Sequence, residues 1–254
     1  MIISRVIPCL LLRNNGLVKT VKFKESTYIG DPINAIKIFN EKEVDELIFL
    51  DIDASKEKKE PPFNLLKNIA SECFMPLCYG GGISTIDHIN EIIKCGVEKV
   101  AINTHAVKNP VFIKNAADIY GSSTIVAAID VKKNLFGKYH VYINGGHENT
   151  NKDPLEFAKL IEQMGAGEIF LNSIDKDGTM AGYDIELIKK ISDSVKIPVI
   201  ACGGAGNIDH MREAIQLGSA AAVAAGSFFV FHGKRRAVLI SYPSINEIKY
   251  IFEK

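Results

Sequence analysis

The sequence predicts a (β/α)₈ barrel, the TIM-barrel architecture, on three observations: its length, an alternation of strand-like and helix-like segments, and an internal repeat. The chain has 254 residues, and a barrel of eight strand–helix units takes about 250. Short β-branched apolar runs mark eight strands at Val6–Leu12, Glu46–Asp51, Met75–Tyr79, Lys99–Asn103, Ile125–Val131, Glu168–Asn172, Pro198–Ala201 and Ala220–Ala225. Helical periodicity falls between them, as at Asp31–Glu43, Ile86–Cys95, Pro154–Met164, Tyr183–Asp193 and Asp209–Leu217. Strands that alternate with helices form parallel sheets. Eight in one unit of this size imply closure, because an open sheet more often carries a single Gly-rich nucleotide loop.

The repeat sharpens the prediction. PLCYGGGISTIDHINEIIKCG starts at Pro76 and PVIACGGAGNIDHMREAIQLG starts at Pro198, an offset of 122 residues. Gly81 and Gly82 fall on Gly203 and Gly204, Ile86–His88 falls on Ile208–His210, and Glu46 falls on Glu168. Self-similarity over nearly half the chain is what two fused half-barrels would leave, with the third and seventh strands equivalent. The expected organisation is one barrel domain over residues 1–254, with a basic loop insertion around 232–243.

Bulk properties exclude several function classes. Lys plus Arg and Asp plus Glu number 30 each, so no net field favours nucleic acid or an anionic membrane. The apolar N-terminus is interrupted by Arg5 and lacks a small-residue cleavage site, unlike a signal peptide. No run of about 18 apolar residues predicts a span. The five cysteines (Cys9, Cys73, Cys78, Cys95, Cys202) are odd in number and lack metal-ligand spacing, so free thiols in a reducing cytoplasm are expected, with no metal. Nothing in the sequence calls for a cofactor.

Each repeat ends a strand with a glycine run and then opens a helix. Glycine lets backbone N–H groups approach a ligand closely, and a helix N-terminus adds positive potential, so each end is a candidate phosphate cradle. Glycine also simply terminates strands, but two equivalent runs favour the cradle. One draws on Gly81 and Gly82 with Asn103 and Thr104 after the fourth strand. The other draws on Gly203 and Gly204 with Ala224, Ala225 and Gly226 after the eighth, the usual phosphate location in barrels. A phosphorylated small molecule, with a phosphate at each end, is the expected ligand.

RVIPCL, GDP at Gly30–Pro32, DELIFLDI, YGGGI, VAINTHAVKNP, AAID, GAGEI, DKDGTMAGYD and PVIACGGAGN together resemble the cyclase subunit of imidazole glycerol phosphate synthase, over the chain to about Phe231. The resemblance implies a class I glutaminase partner in a heterodimer. Glutaminase-derived ammonia would enter at the N-terminal face and meet a bis-phosphorylated aminoimidazole precursor, PRFAR, at the C-terminal face, giving imidazole glycerol phosphate and AICAR. It places an ammonia gate at Arg5, Glu46, Lys99 and Glu168, each at the start of an inner strand. A structural salt-bridge plug is an alternative use of the same ring, although such rings rarely repay their desolvation in stability alone. It also implies a substrate-covering loop bearing Lys19 and a polar mouth with Asp51, Asn172, Asp177 and Gly178; Asn172 and Gly226 each stand where the family has a hydroxyl-bearing residue.

Two departures qualify the resemblance. The family uses two carboxylates for acid–base work, ending the first and fifth strands. Asp130 stands in the second position, but Leu11 stands in the first, and leucine cannot transfer a proton. Near the C-terminus, Lys234, Arg235 and Arg236 occupy a loop where the family passes directly to its last helix; it reads as a solvated turn or as a site for an anion or an acidic partner. Both departures resemble a paralogous branch found with surface-polysaccharide genes, in which the barrel and its glutaminase supply ammonia to a separate sugar amidotransferase. Three functions follow as expectations: that ammonia supply, an ordinary histidine-pathway cyclase, or a non-catalytic scaffold that activates its glutaminase.

Overall fold

The computed structural model describes residues 5–233 and 235–253; Lys234 of the basic triplet lies outside the described residues. Eight strands carry the fold: β1 (Arg5–Arg13), β2 (Leu47–Asp51), β3 (Leu77–Gly80), β4 (Lys99–Ile102), β5 (Ile125–Lys133), β6 (Glu168–Ser173), β7 (Val199–Cys202) and β8 (Ala222–Ala225). Each pairs in parallel with the next, and β8 pairs with β1 through Arg5↔Ala222 to Pro8↔Ala225, which closes the barrel. Among the described residues, eight helices of at least eight residues surround it: α1 (Pro32–Glu41), α2 (Phe63–Glu72), α3 (Ile86–Lys94), α4 (Val111–Tyr120), α5 (Pro154–Gln163), α6 (Ile185–Ser192), α7 (Ile208–Gln216) and α8 (Ile245–Phe252). The predicted (β/α)₈ barrel is the observed fold.

All eight expected strands form, with ends displaced by one or two residues. The displacement has a cause at β3 and β7. Pro76 and Pro198 have no N–H to give a ladder, so the strands begin one residue later. Their carbonyls still accept from Leu47 N and Ile169 N, both at 2.9 Å. Those two bonds are related by the 122-residue repeat. So are the contacts of His88 and His210, whose Nδ1 atoms accept from Ser84 N at 3.4 Å and Gly206 N at 3.2 Å.

Strand alternation sorts side chains into two cores. On β1, Ile7, Cys9 and Leu11 join Ile48, Cys78, Val126, Phe170 and Ile200 in the lumen. Val6, Leu10 and Leu12 face outward and pack with Leu47, Phe49, Tyr79 and the helices. Of the five free cysteines, Cys9, Cys78 and Cys202 are buried and Cys73 and Cys95 half-buried.

Two hairpins rise from the mouth and were not anticipated. β1 continues into antiparallel pairing with Gly16–Thr20 (Leu11↔Val18), which pairs in turn with Ser26–Gly30. β5 continues into pairing with Tyr139–Ile143 (Asp130↔Tyr142). Both grow from repeat-equivalent strands. The first had a readable signal: Asn14 and Asn15 adopt φ of 49° and 63° ahead of Gly16, the left-handed pair that a two-residue hairpin turn requires. A third hairpin, Phe231–His232 with Ala237–Val238, lies where the insertion was expected.

Candidate functional site at the two ends of the barrel

The floor is a closed ring of charge. Arg5 Nη1 donates to Glu46 Oε2 at 2.5 Å and its Nη2 donates to Glu168 Oε1 at 2.7 Å. Lys99 Nζ completes the circuit, at 3.2 Å from Glu46 Oε2 and 3.1 Å from Glu168 Oε2. The four residues expected to converge do so, in alternating sign, because each starts or precedes an inward-facing position of its strand. Burial alone would lower the Arg5 pKa; the two carboxylates outweigh it and raise the value. Arg5 Nε is buried without a partner, so even this ring leaves one donor unmet.

Above the ring, Ile7, Ile48, Cys78, Val126, Phe170, Ile200 and Ala222 fill the lumen with apolar side chains. Apolar packing of this kind disfavours an ion. Beyond it lies a cavity at the C-terminal ends of the strands that Leu11, Lys19, Asp51, Asp130, Asn172 and Asp177 help to line.

Asp130 ends the inward-facing column of β5. Burial pushes its pKa up to about 7, and the nearby Asp177 carboxylate adds to the rise. A carboxyl poised at neutral pH is suited to give or take a proton. Leu11 lines the same cavity at 6% exposure, so the first-strand side presents methyl groups where a second carboxylate would be needed.

The other mouth residues divide into two groups. Asp177, Asn103, Thr104 and Asp51 are held by the protein itself. Asp177 Oδ2 accepts from Thr20 Oγ1 at 2.8 Å, and its backbone carbonyl accepts from Lys22 N, tying the first hairpin to the loop after β6. Gly178 belongs to the same junction: a Cβ there would lie 2.2 Å from the Thr20 carbonyl. Asn103 Nδ2 donates to the Ala128 carbonyl, and Thr104 Oγ1 accepts from Asn144 N. Asp51 Oδ1 accepts from the backbone N–H groups of Asp53 and Ala54, while burial raises its pKa.

A second group is left with capacity for a ligand. Gly81, Gly82, Gly203 and Gly204 all have positive φ. At Gly204 a Cβ would come within 2.2 Å of the Gly182 carbonyl, so glycine is required by packing as well as by any ligand. The long helices α3 and α7 start several residues further on, and Thr85 Oγ1 and Asn207 Oδ1 accept from His88 N and His210 N. Their N-termini are capped by the chain itself. Each cap takes one first-turn N–H, and the short turns Thr104–Lys108 and Ser227–Val230 open directly at the mouth. Asn172 Oδ1 is buried without a partner beside Gly203.

Lys19 sits differently from the covering-loop position that the resemblance implied. It lies in the strand Gly16–Thr20, is 5% exposed, and its Nζ occupies the space a Cβ on Gly226 would take. Gly226 thus makes room for an ammonium group inside the second cradle, next to Ala225 at the end of β8. Sequence reasoning missed Arg13, whose guanidinium is bound by Asp53 at 2.6 and 3.0 Å. It also missed the buried Ser227. A lone arginine and serine in loop-like sequence carry no periodic signal that would single them out.

Comparison with known proteins agrees with this geometry. The histidine biosynthesis protein family matches residues 5–235. A Pseudomonas aeruginosa protein provisionally assigned as imidazole glycerol phosphate synthase subunit hisF2 is 55% identical, over 98% of this chain and 99% of its own. One from Vibrio vulnificus, provisionally assigned as subunit hisF3, is 51% identical over 100% of this chain and 98% of its own. The imidazole glycerol phosphate synthase subunit HisF of a Hydrogenobaculum species is 46% identical over 96% and 95%. No helix among the described residues is long and apolar enough to cross a membrane. The chain belongs to the HisF family of imidazole glycerol phosphate synthase cyclase subunits, on the paralogous branch that includes hisF2 and hisF3.

Proposed function

We propose that this barrel receives ammonia from a class I glutaminase docked at the floor and passes it through the lumen to the mouth, as a heterodimeric amidotransferase subunit. The ring of Arg5, Glu46, Lys99 and Glu168 supports this reading. Its four side chains bridge the floor, so one of them must swing aside for a small molecule to pass. Lys99 is the natural mover, having the longer contacts and a flexible stem. Lys99→Ala should uncouple glutamine hydrolysis from ammonia use in the assembled pair, read as free ammonia released per glutamate formed. Unchanged coupling would refute the gate.

The ammonia acceptor is a phosphorylated molecule held between the cradles at Gly81–Gly82 and Gly203–Gly204, or a sugar bound by a separate amidotransferase of surface-polysaccharide synthesis. The second is favoured by Leu11, which leaves Asp130 without its partner carboxylate and disables the two-carboxylate cyclisation. A working histidine-pathway cyclase is kept in view by Asp130 itself, whose raised pKa keeps acid–base chemistry at hand. Rescue of a strain lacking its histidine cyclase separates them: no growth is expected on the ammonia-supply reading, and full growth would overturn it.

A further inference from the structure

The basic hairpin is not absorbed by ammonia delivery, and its position relative to the mouth is specific. Arg236 lies at its return, with φ of 51° and its N–H donating to the Gly233 carbonyl at 3.0 Å. That left-handed turn sends the side chain back across the barrel. The guanidinium stacks on Phe231, 4.6 Å from the ring centroid. Its Nη2 donates to the Gly178 carbonyl at 3.3 Å and to Ser227 Oγ at 3.4 Å. Gly178 and Ser227 both line the mouth. The hairpin therefore places a guanidinium between the loops after β6 and β8, at the rim of the second cradle.

The charge around it is unbalanced. Arg5 and Arg13 are held by carboxylates, whereas Arg236 has two long bonds to neutral acceptors. Beneath it, Lys19 is 5% exposed and sets its Nζ in the space that a Cβ on Gly226 would take. Lys19 and Arg236 thus reach the second cradle from two sides, while Asp177 of the same cavity is already engaged by Thr20 Oγ1. Two cations beside one backbone cradle suit a doubly charged anion.

We propose that Arg236 is a phosphate-binding residue that closes the second cradle from above while Lys19 closes it from within. The ligand is a phosphomonoester dianion, which a planar guanidinium can engage through its unused donors. This rests on the phosphate reading of the mouth. Lys19 and Arg13 line the mouth itself, Arg13 already bound by Asp53, and Arg236 reaches it from the rim. On the Gly82–Thr104 side, Lys56, Lys58, Lys59 and Lys108 line an adjoining recess, so the two cradles draw their cations from different loops.

Inorganic phosphate titrated into the full chain at pH 8, followed by the amide NMR signals of Gly81, Gly82, Gly203 and Gly204, tests this site by site. Wild type should respond at Gly203–Gly204. Arg236→Ala should weaken that site by about tenfold or more, the scale of one charge-assisted hydrogen bond, and leave Gly81–Gly82 unchanged. Arg236→Lys should recover part of the loss. Equal affinity at Gly203–Gly204 in wild type and Arg236→Ala would overturn the role of Arg236 while the phosphate reading stands. Equal weakening at both cradles would overturn it too, as a general rather than local effect. No phosphate response in wild type at either cradle would sink the phosphate reading, and this proposal with it.

Discussion

At the floor of the barrel, Glu46 and Glu168 each touch both Arg5 and Lys99; at the mouth, Asp130 shares its cavity with another carboxylate, Asp177, and with Leu11. One barrel thus holds acids in opposite circumstances. The floor carboxylates have their counter-charges within 3.3 Å, whereas burial and a like charge make ionised Asp130 costly. The difference teaches what each end is for. A paired ring can be closed and stable, and it opens when one contact is released. A carboxyl forced toward neutrality stores free energy that a proton transfer can use. Leu11 removes the group that would share that task.

The comparison breaks most visibly at Leu11. Leu11→Asp should raise turnover of the histidine-pathway precursor by roughly 10²–10⁴-fold, the usual contribution of one positioned acid or base. The measurement is made with a glutaminase partner, or with ammonium salts in its place. Rapid turnover by the wild type would show instead that Asp130 suffices.

At the floor the expected loss is one of stability. Glu46→Ala leaves Arg5 and Lys99 sharing a single carboxylate, and breaking a buried pair in this way costs about 3–5 kcal/mol. Denaturant unfolding measures it. Replacing all four ring residues with apolar side chains of similar size should recover most of that loss while abolishing ammonia coupling, which would separate the gate from the plug.

The smallest effect concerns Asp130 and has a defined pH window. Its pKa is about 7 in the folded chain against an ordinary value of 3.8. Between those values the native state binds the extra proton, so stability falls as pH rises from about 4 to 7. Asp130→Asn removes this penalty. The variant should match wild type near pH 4 and exceed it at pH 8 by at most about 4 kcal/mol, at about 1.4 kcal/mol per unit. Thermal melting at the two pH values checks it, and an equal difference at both would show that Asp130 is not buried at cost.

The sequence by itself determined the barrel, because the short apolar strand runs, the intervening helices and the 122-residue repeat are local patterns written along the chain. The resemblance to the cyclase family singled out the floor ring, and the place of each charge at the start of an inner strand put all four at that end. What Lys19, Asp177 and Arg236 do was decided by tertiary structure alone. Asp177 reads as a mouth acid in sequence and acts as the clasp for Thr20 and Lys22. Lys19 reads as a loop residue and lies buried against Gly226. Arg236 reads as part of a solvated triplet and reaches Gly178, 58 residues away. These roles depend on loops from different strands meeting over the mouth, and contacts between distant loops leave no period in the sequence, only glycines where two backbones come close.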